Sequence, residues 1–264
     1  MIAAVNGRYP DAVGVDVIRE HSLALVDVAG RAALDTPVPT CPGWSIADLV
    51  WHLTEVQLFW AHVIGRRPAG PDSYEAPPRP DDTVVVAGLD RATTCLVDRL
   101  TDLDPDEPAW SWADDHTVGF TLRRQSHEAV VHHVDGCLAA GAPIPTISPR
   151  LAADGIDEMI GVMLSGVPEW ASFERRTGVI ELRTHDTDDS WTLAFGRMIG
   201  TAPESGTVHD LDALDPVDEP ADTVVEGSAL DLHLWLCGRG DIARLEVSGD
   251  PIRAGQLRSI AASL

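Results

Sequence analysis

The feature that most constrains the fold is a change of hydrophobic period near residue 165. Before it, apolar positions recur at helical spacing, as in Ile46, Leu49, Val50, Leu53, Gln57, Trp60 and Ile64. After it, Gly178-Val-Ile-Glu-Leu-Arg-Thr-His185 and Ser190-Trp-Thr-Leu-Ala-Phe195 alternate on either side of the polar turn Asp186 to Asp189. That pattern predicts a hairpin. With 264 residues and 44% hydrophobic content, the chain has material for two modest cores. The expectation is an α+β protein of two domains, a helical bundle over 1–165 and a small α+β domain over 166–264.

Helices are expected from about Asp11 to Ala33, from the Ser45 cap to about Gly65, from Asp82 to Leu103, from a Thr121 cap to Gly141, and from Pro149 to Ser165. Ser45 with Asp48 three residues on forms a capping-box pattern. Gly141 followed by Pro143 and Pro145 marks a helix stop. Residues 66–81 hold five prolines and read as a loop. The acidic stretch 102–118, with Trp110 and Trp112, reads as a loop covering a site, although paired aromatics also serve as core anchors. Beyond the hairpin come an acidic loop, a strand at Thr223 to Glu226, a helix from Ser228 to Leu236, a strand at Leu245 to Ser248 and a helix after Pro251.

Chemistry concentrates on the fourth helix, where Glu128 and His132 lie four residues apart. At 3.6 residues per turn their side chains fall within about 40° of one another on one face. A carboxylate and an imidazole so placed supply two of the three protein ligands of an open Zn²⁺-type site. His52, at the margin of the apolar stripe of the second helix, is the candidate third ligand. The same residues also admit a plainer reading, as an exposed ion pair and a partly buried histidine. His127, His133 and His62 lie off the shared face, and His133 with Cys137 reads as core packing.

Composition narrows the function classes. Nineteen basic against forty-two acidic residues give a formal charge of −23, which repels nucleic acids and anionic membranes. Every basic residue is arginine, which excludes Schiff-base and P-loop chemistry because both need lysine. Cys41, Cys95, Cys137 and Cys237 are scattered singly, so neither a disulfide framework nor a thiolate zinc site is expected. The N-terminal stretch lacks a charged region followed by an apolar run, and no segment approaches 18 apolar residues. A soluble cytoplasmic protein is expected.

Three segments carry a family resemblance: Thr40-Cys-Pro-Gly-Trp-Ser-Ile-Ala-Asp-Leu-Val-Trp-His52-Leu, then His127-Glu128-Ala-Val-Val-His132-His-Val-Asp135, then Ala229-Leu-Asp-Leu-His-Leu-Trp-Leu-Cys-Gly-Arg239. In this order and separation they resemble the mycothiol-dependent maleylpyruvate isomerase family. The resemblance implies a DinB-like four-helix metal-binding bundle, followed by a small α+β domain similar to sterol-carrier proteins. It implies Zn²⁺ or another divalent ion on His52, Glu128 and His132, with mycothiol at the open position. Arg239 becomes the candidate for charge stabilisation, with Arg244 its rival and helix capping the alternative role. Arg123 and Arg124 are candidates for the thiol's carboxyl groups, or else are solvated.

The resemblance implies a cis-trans isomerase acting on a small-molecule substrate through a low-molecular-weight thiol, as a monomer or weak homodimer. The alternatives are a mycothiol S-transferase of the same architecture and a non-enzymatic metal- or ligand-binding protein. The charge generates a direct test. The protein is expected to pass unretained through a duplex-DNA column at low salt, and salt-sensitive retention would contradict the exclusion of nucleic acid.

Overall fold

The computed structural model describes residues 12–262. The expected helix start at Asp11 and most of the N-terminal stretch lie outside them. The chain divides into two compact units between Thr146 and Ile147.

In the first unit the four long helices are α1 (Val15–Ala29), α2 (Ile46–Arg66), α3 (Asp82–Leu100) and α4 (Val118–Ala140). The capping box on α2 forms as its sequence suggests. Ser45 Oγ accepts from the Asp48 N–H at 3.3 Å, and Asp48 Oδ2 accepts from the Ser45 N–H at 2.8 Å. On α4 the cap is Thr117, which accepts from the Phe120 N–H, so the helix starts a turn before the expected Thr121. Gly141 ends it in the left-handed conformation, at φ 65°, which costs a glycine nothing.

Leu25, Ile46, Leu49, Val50, Leu53, Val85 and Leu89 form an apolar core where α1, α2 and α3 meet. Within the bundle runs a polar chain. Gln57 on α2, fully buried, donates from Nε2 to Ser22 Oγ on α1 at 2.7 Å and accepts from Thr93 Oγ1 on α3 at 2.7 Å. One amide thus sets the register of three helices.

The second unit begins with α5 (Pro149–Glu158), which continues into a π-helical turn at Met159–Leu164. Sequence periodicity assigned this segment to the bundle. Its apolar residues Ile156, Ile160 and Leu164 instead join the core of the sheet, together with Ile180, Leu182, Leu193, Val225, Leu232, Trp235 and Leu257. The boundary therefore falls about twenty residues before the expected one at 165.

The sheet has five strands in the order β3-β2-β1-β4-β5. They are β1 (Ala171–Thr184), β2 (Ser190–Thr201), β3 (Val208–Pro216), β4 (Thr223–Gly227) and β5 (Glu246–Ser248). The predicted hairpin is present and longer than expected, with a register shift between Arg175 and Val179 at Gly178, whose φ is 114°. β1 and β4 run parallel, and the other neighbours are antiparallel. The acidic segment read as a loop contains β3, paired along β2 from Val208 to Pro216. Helices α6 (Ala229–Leu236) and α7 (Pro251–Ala261) complete the unit. The described residues contain no helix long and apolar enough to cross a membrane.

The polar chain in the bundle generates a prediction. Gln57→Ala strips two buried hydroxyls of their partner and opens a cavity, so it is expected to destabilise the bundle by about 2–4 kcal/mol in urea titrations. A loss below about 0.5 kcal/mol would show that the chain does not hold the helices in register.

Candidate metal centre

Helix α4 turns a continuous polar face inward. Thr121, Gln125, Glu128, His132 and Asp135 follow one another at three- and four-residue spacing. All but Glu128 are buried, and Glu128 is partly so. His52 on α2 meets this face, its ring 4.9 Å from that of His132 at 83° and 4.8 Å from that of Trp44. One ligand atom from each of His52, Glu128 and His132 lies within 4.8 Å of the others. The geometry thus brings together the three residues singled out in the sequence.

Each imidazole is held in a defined state. His132 Nε2 lies 3.0 Å from Glu128 Oε2, and its Nδ1 lies 3.0 Å from Asp135 Oδ2. Burial by itself would lower the His132 pKa. Hydrogen bonds and charge from Asp135 and Glu128 outweigh it and push the pKa up to about 9. His52 goes the other way, lowered first by burial and then by His132, against the pull of Glu128 and Asp135. A neutral imidazole is the ligand form. Burial would raise the Glu128 carboxyl, but Arg124, His132 and His52 hold it well below the usual range.

Sequence spacing left the support of His132 unassigned. Asp135, fully buried, accepts from Thr40 Oγ1 at 2.5 Å and from the Cys41 thiol at 3.6 Å as well as from His132. The signal for it was the spacing of three residues from His132 on the same helix. A carboxylate on the far nitrogen of a ligating histidine fixes the ring's tautomer and orientation. The donor set of two imidazoles and one carboxylate, with Nε2 of His132 turned towards Glu128, fits Zn²⁺ or a similar divalent ion.

The arginines separate. Arg124 Nη2 pairs with Glu128 Oε1 at 3.3 Å, while Arg123 is half-buried one residue before it. Arg239 lies in the turn after α6 and donates from Nη1 to Cys237 O at 2.5 Å, the helix-capping geometry weighed against a catalytic role. Arg244 pairs through Nε with Asp231 at 2.7 Å and is largely exposed. Among the other histidines, His133 Nδ1 lies 3.1 Å from His21 Nδ1 in the bundle interior, and His62 lies 3.3 Å from Ser73 Oγ. Trp110 packs near Phe59 and Trp60, whereas Trp112 is 51% exposed.

Residues 15–136 match the family model described as the mycothiol maleylpyruvate isomerase N-terminal domain, and residues 150–256 match that of the MDMPI C-terminal domain. Among solved structures, the chain is similar to the crystal structure of the mycothiol-dependent maleylpyruvate isomerase, with a TM-score of 0.58 and 14% identity, covering 89% of this chain and 92% of that one. A mutant of that isomerase matches with the same TM-score and coverage at 13% identity. No curated protein matches the sequence significantly. The two family models fall on the two compact units in order, and the chain belongs to the mycothiol-dependent maleylpyruvate isomerase family.

Proposed function

We propose that this protein is a metal-assisted, mycothiol-dependent cis-trans isomerase, working by reversible addition of the thiol across an activated double bond. The observation that carries this reading is the cluster of His52, Glu128 and His132, whose ligand atoms lie within 4.8 Å of one another. A divalent ion held there lowers the pKa of an adjacent thiol, so that thiolate is available at neutral pH.

The chain's own residues then have distinct tasks. His52 and His132 offer one nitrogen each and Glu128 one oxygen. Asp135 holds His132 by Nδ1 and leaves Nε2 for the ion. Arg124 braces Glu128 from the opposite oxygen, and with Arg123 it is the candidate contact for the thiol's acidic groups. Arg239 is the candidate for stabilising negative charge that develops on the substrate. The test of the activity is to incubate zinc-loaded protein with mycothiol and a cis-alkene electrophile, either maleylpyruvate or its uncharged counterpart diethyl maleate. The expected outcome is the trans isomer with mycothiol undiminished. Stoichiometric consumption of the thiol would identify an S-transferase instead, and no change in either would leave only metal or ligand binding.

The metal centre makes a graded prediction. His132→Ala is expected to abolish stoichiometric zinc. Asp135→Asn, which keeps the shape of the side chain, is expected to weaken zinc by about 10–100-fold, the usual scale for a group supporting a ligand. Elemental analysis and competition with a chromophoric chelator check both. Undiminished zinc in His52→Ala and His132→Ala would remove the metal from the reading.

Arg239 makes a kinetic one. Arg239→Ala is expected to lower kcat by about 10²-fold with zinc content unchanged, the scale for losing a donor that acts on developing charge. Lysine is expected to restore part of the rate, because it keeps the charge and loses the planar fork. Turnover of the alanine variant near wild type would leave Arg239 with its capping role alone.

A further inference from the structure

Next to His52, and within the first unit, lies an open pocket of about 290 Å³ whose lining includes His52, Glu55, Phe59, Trp60 and Tyr74. Its size approaches the lower end of small-ligand sites. The walls are largely aromatic. Phe59 stands edge-to-face to Tyr74 with centroids 5.3 Å apart, and to Trp60 at 5.4 Å. No arginine is among the lining residues. The one charged side chain there is Glu55, three residues beyond His52 and so one turn along α2. Burial and the negative charge of Glu55 raise the Tyr74 phenol, whose buried hydroxyl has no hydrogen-bond partner among the described residues.

The guanidinium groups of neighbouring segments lie outside this lining. Arg99 belongs to the adjoining pocket that also touches Tyr74, and it donates to Ala61 O at 2.6 Å. Arg124 is paired with Glu128. A carboxylate entering beside His52 would leave water for aromatic walls and face a like charge, with no guanidinium of the lining to receive it. An uncharged aromatic or alkyl group meets neither cost and gains the burial of its apolar surface.

We infer that the pocket between His52 and Tyr74 selects an electrophile bearing an uncharged aromatic or alkyl group, and that Glu55 makes it reject a carboxylate at that position. The inference rests on the thiol-addition reading for the chemistry but on the pocket alone for the selectivity, so two measurements separate them.

The first is binding without chemistry. On the full chain with zinc removed, so that no ion attracts the anion, ligand-observed NMR compares 3-phenylpropanamide with 3-phenylpropanoate. The amide is expected to bind about tenfold more tightly, the scale of one like-charge contact near a protein surface. Val56→Trp, which fills the pocket, should abolish that binding, and Glu55→Arg should reverse the preference. Equal or tighter binding of the carboxylate by the wild type overturns the inference.

The second is turnover. Zinc-loaded protein with mycothiol is given diethyl maleate or maleate, and proton NMR follows both the trans isomer and the thiol adduct above the rate without protein. Faster turnover of the diester supports the inference, and Glu55→Arg should shift the preference towards maleate. Preference of the wild type for maleate overturns it while leaving thiol chemistry intact. Turnover of neither, with the amide preference retained, supports the pocket's selectivity and sinks the thiol reading.

Discussion

The carboxylate of Asp135 is completely buried, and an ionised group in such a place is tolerable only where hydrogen-bond donors converge on it. An imidazole from its own helix does so, as do the Thr40 hydroxyl and Cys41 thiol from the proline-rich turn before α2. That turn runs directly into the capping box at Ser45, seven residues before His52. One buried charge thus ties the helix carrying Glu128 and His132 to the segment that launches the helix carrying His52. The prolines on either side, Pro39 and Pro42, restrict the turn in the unfolded chain, which lowers the entropy cost of bringing Thr40 and Cys41 to their partner.

The same carboxylate sets the electrostatics of the cluster. His132 lies between two acids and titrates near 9, above its ordinary 6.5. Because the folded pKa is the higher one, the stabilisation from protonated His132 is complete below about pH 6.5 and fades as the pH climbs through about 9. A cation held on Nε2 would compete with the proton there for the place beside Glu128. The polar face continues away from the cluster to Gln125 and Thr121, whose buried amide and hydroxyl groups have no hydrogen-bond partner among the described residues. Helix α4 therefore owes less to an apolar stripe than its neighbours do, which is why its period was harder to read than that of α2.

What the sequence revealed followed the strength of local signals. The stripe on α2 and the stop at Gly141 each have a local cause and are legible in the residues, as is the shared face of Glu128 and His132, though not its role. His52 could be joined to that pair only as a candidate, since its distance to His132 is set by how α2 and α4 pack, and the resemblance to a family supplied the rest. Helix α5 had the right period and the wrong partner. Ile156, Ile160 and Leu164 present an apolar stripe that serves a bundle or a sheet equally well, and periodicity does not say which. The first half of β1 was missed because Glu174 to Arg176 is charged and exposed, leaving no alternation to detect. Asp135 stood in the quoted motif without a role, because a supporting carboxylate has no signature until its partners are in place.

Strand β3 was hidden by its own aspartates. Asp210, Asp212 and Asp215 are poor strand formers by composition, yet the strand pairs along the length of β2 and forms one edge of the sheet. Arg197 on β2 meets both Asp210 and Asp212, one cation against two acids, so the edge keeps a negative excess. Ser165 bridges this edge at Leu214, and the stretch beyond it, with Val208 and Leu211 exposed, is a template on which another chain can polymerise. Like charge along that edge repels a second copy before its backbone can pair. The protein's acidity thereby acts as a solubility device placed where the sheet is most open to self-association, and its protection is weakest near the isoelectric point of about 4.5, where net charge vanishes.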